Sequence, residues 1–183
     1  IVMVIMANVF YVYMGFNKEE IAFISKVYGL IMTLVGAAFG GVLLMRYGTM
    51  KILFLGALLV AITNLLFAWQ AYIGYNVPFL TFAISVDNFS AGIATAAFIA
   101  YLSSLTSSGY SATQYALLSS IMLLFPKFIA GFSGLYVDAF GYINFFVAAS
   151  VIGFPVLLLV VLVRTYNALR VNSKLRISFY FFF

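Results

Sequence analysis

Three ionisable side chains fall inside the long apolar stretches of this chain: Lys26, Asp87 and Lys127. A charge at mid-bilayer costs on the order of 2.5–3.5 kcal/mol on insertion scales, so each needs a partner, water or a bound solute. Their neighbours are small. Lys26 shares a helical face with Gly29, Thr33, Gly36 and Gly40, and Lys127 shares one with Ala130, Gly131, Gly134 and Asp138. Asp87 precedes Ser90, Ala91, Gly92, Ala94, Thr95, Ala96 and Ala97. Small stripes let helix backbones approach, so all three charges are expected to point into a bundle. Counted at 1.5 Å per residue from Pro78, Asp138 and Glu20, Asp87 lies about 13 Å, Lys127 about 16 Å and Lys26 about 9 Å below one surface. These depths predict that Asp87 pairs with Lys127, with Lys26 as the alternative partner. Such a pair either fixes helix register or belongs to a substrate or proton pathway. Asn88, Gln114, Asn64 and Asn144 read as groups that tie helices by hydrogen bonds. Asn88 and Gln114 are also pathway candidates.

The elements that must carry these groups are transmembrane helices. Of the 183 residues, 66% are apolar and 7% charged, and the mean hydropathy is +1.19. A soluble domain has about a quarter of its residues charged, so the exterior is expected to face a lipid bilayer. The chain has no cysteine and no histidine, which excludes disulfides, thiol chemistry and the usual transition-metal ligands. Neither a metal nor a cofactor is expected. No nucleophile–base pair or phosphate loop is present, so the chain does not read as an enzyme. The net charge of +5 is spread between apolar runs and does not mark a nucleic-acid partner.

About 20 apolar residues span a bilayer core as helix. The runs Ile21–Met45, Ile52–Ile73, Phe79–Leu105, Ala112–Val137 and Tyr142–Val163 meet that length, and Ile1–Met14 supplies part of a sixth. Turn residues separate them at Gly15-Phe16-Asn17, Tyr47-Gly48-Thr49, Gly74-Tyr75-Asn76, Ser107-Ser108-Gly109 and Phe140-Gly141. Pro126 and Pro155 predict breaks within their spans. The runs are continuously apolar, which excludes a β-barrel. The expected fold is therefore all-α: a polytopic bundle of about five and a half helices over residues 1–166, with a basic and aromatic tail over 167–183. Because the chain opens at Ile1 inside an apolar run, its first helix is expected to be truncated. Arg46, Lys51, Arg164, Arg170, Lys174 and Arg176 fall on one side if the helices alternate. An excess of basic residues marks the cytoplasmic side, so the C-terminus is expected there.

Four stretches resemble known families. Gly40–Gly48, GGVLLMRYG, followed by Lys51, is similar to the loop motif GxxxDRxGRR of the major facilitator superfamily. Gly41, Arg46 and Gly48 match, and Met45 stands in place of the motif's Asp. The resemblance implies a gating loop at those three residues. Val86–Leu105, VDNFSAGIATAAFIAYLSSL, and Ser111–Ser120, SATQYALLSS, look like AmpG-type muropeptide permeases of that superfamily. SKVYGL around Lys26 fits the same family. Asp87 stands where that family carries Glu, and Pro126-Lys127 where it carries Gly-Arg. The resemblance runs from Gly15 to Val163 and implies the C-terminal six-helix half of a twelve-helix transporter, whose N-terminal six-helix half would be a partner. It further implies import of anhydromuropeptides from periplasm to cytoplasm, coupled to protons, in a bacterial inner membrane for cell-wall recycling. Asp87, the sole acid within the spans, is then the candidate proton carrier. The alternatives are a related facilitator of another solute, like the acetyl-CoA transporters, or a non-transporting fragment of a split or decayed gene.

Overall fold

The computed structural model describes the backbone of residues 2–106 and 111–180, and side chains from residue 6 to 165 apart from 107–111, 122, 125, 154, 156, 164. Every regular element in it is helical. The helices are α1 (Val2–Tyr13), α2 (Lys18–Tyr47), α3 (Thr49–Ile73), α4 (Val77–Leu105), α5 (Ser111–Gly131) and α6 (Ser133–Tyr180). Five are long and apolar enough to cross a membrane, and α1 has 12 residues. The turn at Ser107-Ser108-Gly109 and the last residues, Phe181–Phe183, lie outside the described residues, as do the side chains of Arg164, Arg170, Lys174 and Arg176.

Each reversal has a local cause. Gly48 ends α2 by donating its N–H to the Leu44 carbonyl (2.9 Å), and its φ of 82° with ψ of 158° is a conformation almost confined to glycine. Gly141 repeats it at φ 78° and ψ 168°, dividing α6 into two helices at the turn expected from Phe140-Gly141. Asn76 caps α4: its side chain accepts the Phe79 N–H at 3.0 Å, just after a first turn that Pro78 tolerates well.

The expected proline breaks are not found. Helix continues through both Pro126 and Pro155. A proline removes one donor, but in lipid the freed carbonyl has no better partner elsewhere, so the helical path persists. The interruption falls six residues after Pro126, at Phe132, whose N–H bonds the Ile129 carbonyl at 3.0 Å in a tightened turn. The span expected to run to Val137 therefore stops at Gly131, and a second helix begins at Ser133.

The chain changes direction at the glycine turns, as side-chain contacts between reversals show. Tyr75 hydrogen-bonds Glu20, and the Tyr13 and Tyr142 rings lie 4.9 Å apart. The reversals near residues 15, 74 and 141 thus share one end of the bundle, away from Arg46 and Gly48.

Packing is densest where side chains are smallest. α2 lies against α4 so closely that a Cβ at Gly36 would sit 2.2 Å from the Phe89 carbonyl oxygen, and one at Gly92 would sit 2.3 Å from that of Thr33. Gly56 of α3 meets Ala94 of α4 in the same way, at 2.7 Å. α6 joins α3 where the buried Ser150 hydroxyl donates to the Ala61 carbonyl at 2.9 Å. An aromatic core closes the end near α1, where Phe10 and Phe67 flank Phe146 at centroid distances of 4.9 and 5.8 Å. α5 is different: Ala130 is its sole buried side chain among the described residues. A Cβ at Gly131 or Gly134 would meet nothing within 4 Å.

Candidate functional site

Asp87 and Asn88 sit side by side on α4, yet a one-residue step turns a helix by about 100°, so they address different neighbours. The Asp87 carboxylate accepts the Thr63 hydroxyl of α3 at 2.7 Å. The Asn88 side-chain oxygen accepts the Thr33 hydroxyl of α2 at 3.0 Å, while its amide nitrogen donates to the Ile84 carbonyl at 2.8 Å. Tyr11 of α1, itself buried, lies within electrostatic range of Asp87. These two residues therefore hold α2, α3 and α4 together at one level of the bundle, where Gly36 and Gly92 already bring backbones into contact.

The expected ion pair is absent. Among the described residues Asp87 makes no salt bridge, and neither Lys127 nor Lys26 reaches it; both lysines are exposed. For Lys26 the cause is local. Ala22–Tyr28 is π-helical, and the extra residue in such a turn rotates whatever precedes it off the face that follows. Gly29, Gly36 and Gly40 do pack inward, but Lys26 has left their stripe. For Lys127 the cause is the poor burial of α5: the stripe of Gly131 and Gly134 is real in spacing, and a Cβ at either glycine would meet nothing within 4 Å among the described residues. The direction in which each lysine faces, which counting along a helix does not give, is what separates it from Asp87.

The other expected positions separate into two groups. Gln114 is half-buried near the start of α5. Asn64 is buried on α3, whereas Asn144 is exposed and donates to the Phe140 carbonyl on the other side of Gly141. In the loop motif, Gly48 provides the reversal and the Arg46 guanidinium lies over the Tyr47 ring at 5.6 Å. Gly41 has open space where a Cβ would stand, so no helix closes on it among the described residues.

Thr63 was not expected at the site. Its signal is spacing: Thr63, Phe67 and Gln70 recur at i, i+4 and i+7, one face of α3, and all three are buried. Gln70 donates to the Gly74 carbonyl at 2.7 Å, helping to close α3. At the far end of α4, Glu20 accepts both the Asn17 N–H (3.0 Å) and the Tyr75 hydroxyl (3.1 Å), tying two reversals together. That hydrogen bond to a carboxylate, with a lesser contribution from desolvation, raises the Tyr75 phenol above its ordinary value.

A sequence profile described as Major Facilitator Superfamily matches residues 1–176. The chain is 35% identical over 159 residues to AmpG 4 of Rickettsia conorii, covering 87% of this chain and 38% of that protein. It is 31% identical over 161 residues to AmpG 1 of Rickettsia prowazekii, covering 88% and 36%. To the anhydromuropeptide permease of Escherichia coli K12 it is 32% identical over 163 residues, covering 87% and 33%. The chain thus spans between a third and two-fifths of the length of the curated relatives it matches.

Proposed function

Because the chain belongs to the major facilitator superfamily, we propose that it is one half of a secondary transporter, completed by an N-terminal six-helix half, that imports anhydromuropeptides together with protons. One observation supports this most: Lys26 and Lys127 lie within spans, exposed, with no acidic partner among the described residues. Cations in that situation mark a substrate path or a contact with another bundle. An anhydromuropeptide carries peptide carboxylates that two lysines could receive, and the site of such transporters forms between two bundles. Asn88 and Gln114 belong to the same proposed path, and Asp87 is its proton carrier. Gly41, with its open face, Arg46 and Gly48 form the gating loop on the cytoplasmic side. The basic residues after the last span support a cytoplasmic C-terminus in an inner-membrane protein.

The test is uptake of labelled anhydromuropeptide by cells making the complete transporter. Lys26→Gln and Lys127→Gln are expected to lower uptake at least tenfold at unchanged membrane abundance. Unaltered uptake in both variants sinks the proposed path. For the coupling, Asp87→Asn should lose the dependence of uptake on the proton gradient, read with and without an uncoupler. A second reading of Asp87 is supported by its bond to Thr63: a static lock between α3 and α4, in which case Asp87→Asn lowers stability and leaves proton dependence intact.

A further inference from the structure

The Thr63 hydroxyl has one proton and two acceptors within reach. The Asp87 carboxylate on α4 lies at 2.7 Å, and the Val60 carbonyl in its own helix lies at 3.0 Å. Thr33 is placed in the same way, between the Gly29 carbonyl at 2.9 Å and the Asn88 oxygen at 3.0 Å. The chemistry of the two partners differs. Asn88 cannot gain a proton, and its own amide is fixed by the Ile84 carbonyl, so the Thr33 bond has one stable direction. Asp87 can gain one. A buried carboxylic acid is at once an acceptor and a donor, and a donor left unmet in such a place is costly.

We propose that Thr63 is a protonation-linked relay between α3 and α4, a positioning residue that lets Asp87 bind and release a proton without breaking the helix contact. With Asp87 ionised, the Thr63 O–H donates to the carboxylate. When a proton from the aqueous phase reaches Asp87, the new acid O–H donates to the Thr63 oxygen, and the Thr63 proton turns to the Val60 carbonyl. No covalent bond to carbon changes and no heavy atom moves. One hydrogen bond between helices is present in each state, with its direction reversed. The hydroxyl and the acid O–H each keep an acceptor in both states, which favours reversible loading of a half-buried acid. Among titratable groups on surrounding elements, Tyr11 of α1 is within electrostatic range of Asp87. Lys26 and Tyr28 of α2 and Lys127 and Tyr115 of α5 make no ion pair or hydrogen bond with it among the described residues, and α3 carries its ionisable Lys51 and Tyr72 near its two ends. Thr63 is therefore the group that answers the change of charge. The relay rests on the proposed role of Asp87 in proton coupling.

The experiment is infrared difference spectroscopy of the complete transporter in lipid, between acid and neutral pH, with the Asp87 carboxyl band identified by its loss in Asp87→Asn. Thr63→Ser, which keeps the hydroxyl, is expected to leave the band in place. Thr63→Val, of nearly the same shape, is expected to shift it to higher wavenumber, because the acid O–H has lost its acceptor. A band in the same position in Thr63→Val overturns the relay, as does the absence of any carboxyl band lost in Asp87→Asn. Uptake is read separately. A shifted band together with proton dependence that survives Asp87→Asn would leave the relay standing and remove Asp87 from coupling.

Discussion

The contact between α2 and α4 leaves no room for a methyl group, and Gly92→Ala measures how firmly that contact is held. A Cβ at Gly92 would stand 2.3 Å from the Thr33 carbonyl oxygen and 2.7 Å from the Ala37 nitrogen. Carbon contacts are comfortable at about 3.5 Å or more, so the helices must part by about 1 Å along that line. Both atoms belong to backbone, which cannot swing aside as a side-chain tip does. Overpacking of this sort costs about 1–3 kcal/mol. The parting also stretches the Thr33–Asn88 bond one turn away, worth about 0.6 kcal/mol in membrane bundles, for a sum near 1.5–3.5 kcal/mol. Gly41→Ala on the same α2 is the control, since its Cβ would meet nothing within 4 Å. Equilibrium unfolding in mixed micelles reads both variants, and the single tryptophan, Trp69, whose ring lies 5.5 Å from that of Phe79, reports on α3 and α4. The expected order is wild type and Gly41→Ala together, with Gly92→Ala well below. If Gly92→Ala unfolds within about 0.5 kcal/mol of wild type, the backbone contact is loose and the reasoning fails.

Two further outcomes are expected. Gly141→Ala forces a side chain into a backbone conformation at φ 78° and ψ 168° and should cost about 1–3 kcal/mol by the same unfolding assay; an unchanged midpoint would mean that the reversal is not held in that conformation. Tyr75 is raised above 10.0 by the Glu20 hydrogen bond, so any stability it lends is complete below pH 10 and is lost as pH climbs through its raised value. Phenolate absorbance should therefore show one tyrosine titrating at lower pH in Glu20→Gln than in wild type, and superimposable curves would contradict the bond.

The helices and their reversals were legible because lipid leaves few options: continuous apolar runs with glycine and asparagine between them can only be spans and turns. Gly48, Gly141 and Asn76 each act where their residue types suggested. The site was half legible. Asp87 and Asn88 stood out as polar groups in an apolar run, and their places on α4 follow from that. Their partners did not, because depth along a helix can be counted while the direction a side chain faces depends on every local departure from regular pitch. The π-helical turn at Ala22–Tyr28 displaced Lys26 from its stripe, and no composition rule announces such a turn. Pro126 and Pro155 misled for a related reason, since a proline lowers helix stability without supplying anything to replace the helix in lipid. Thr63 went unnoticed because a lone threonine in an apolar helix is unremarkable until its acceptor is known.

Lys26 and Lys127 stand on surfaces that are exposed among the described residues. At about 2.5–3.5 kcal/mol each, two ammonium groups would represent about 5–7 kcal/mol of strain if those surfaces faced hydrocarbon. Anything that brings a carboxylate or a wet cleft to those surfaces relieves it. On the proposed reading, the two lysines that would receive a cargo are then the same ones that would favour association with a second bundle.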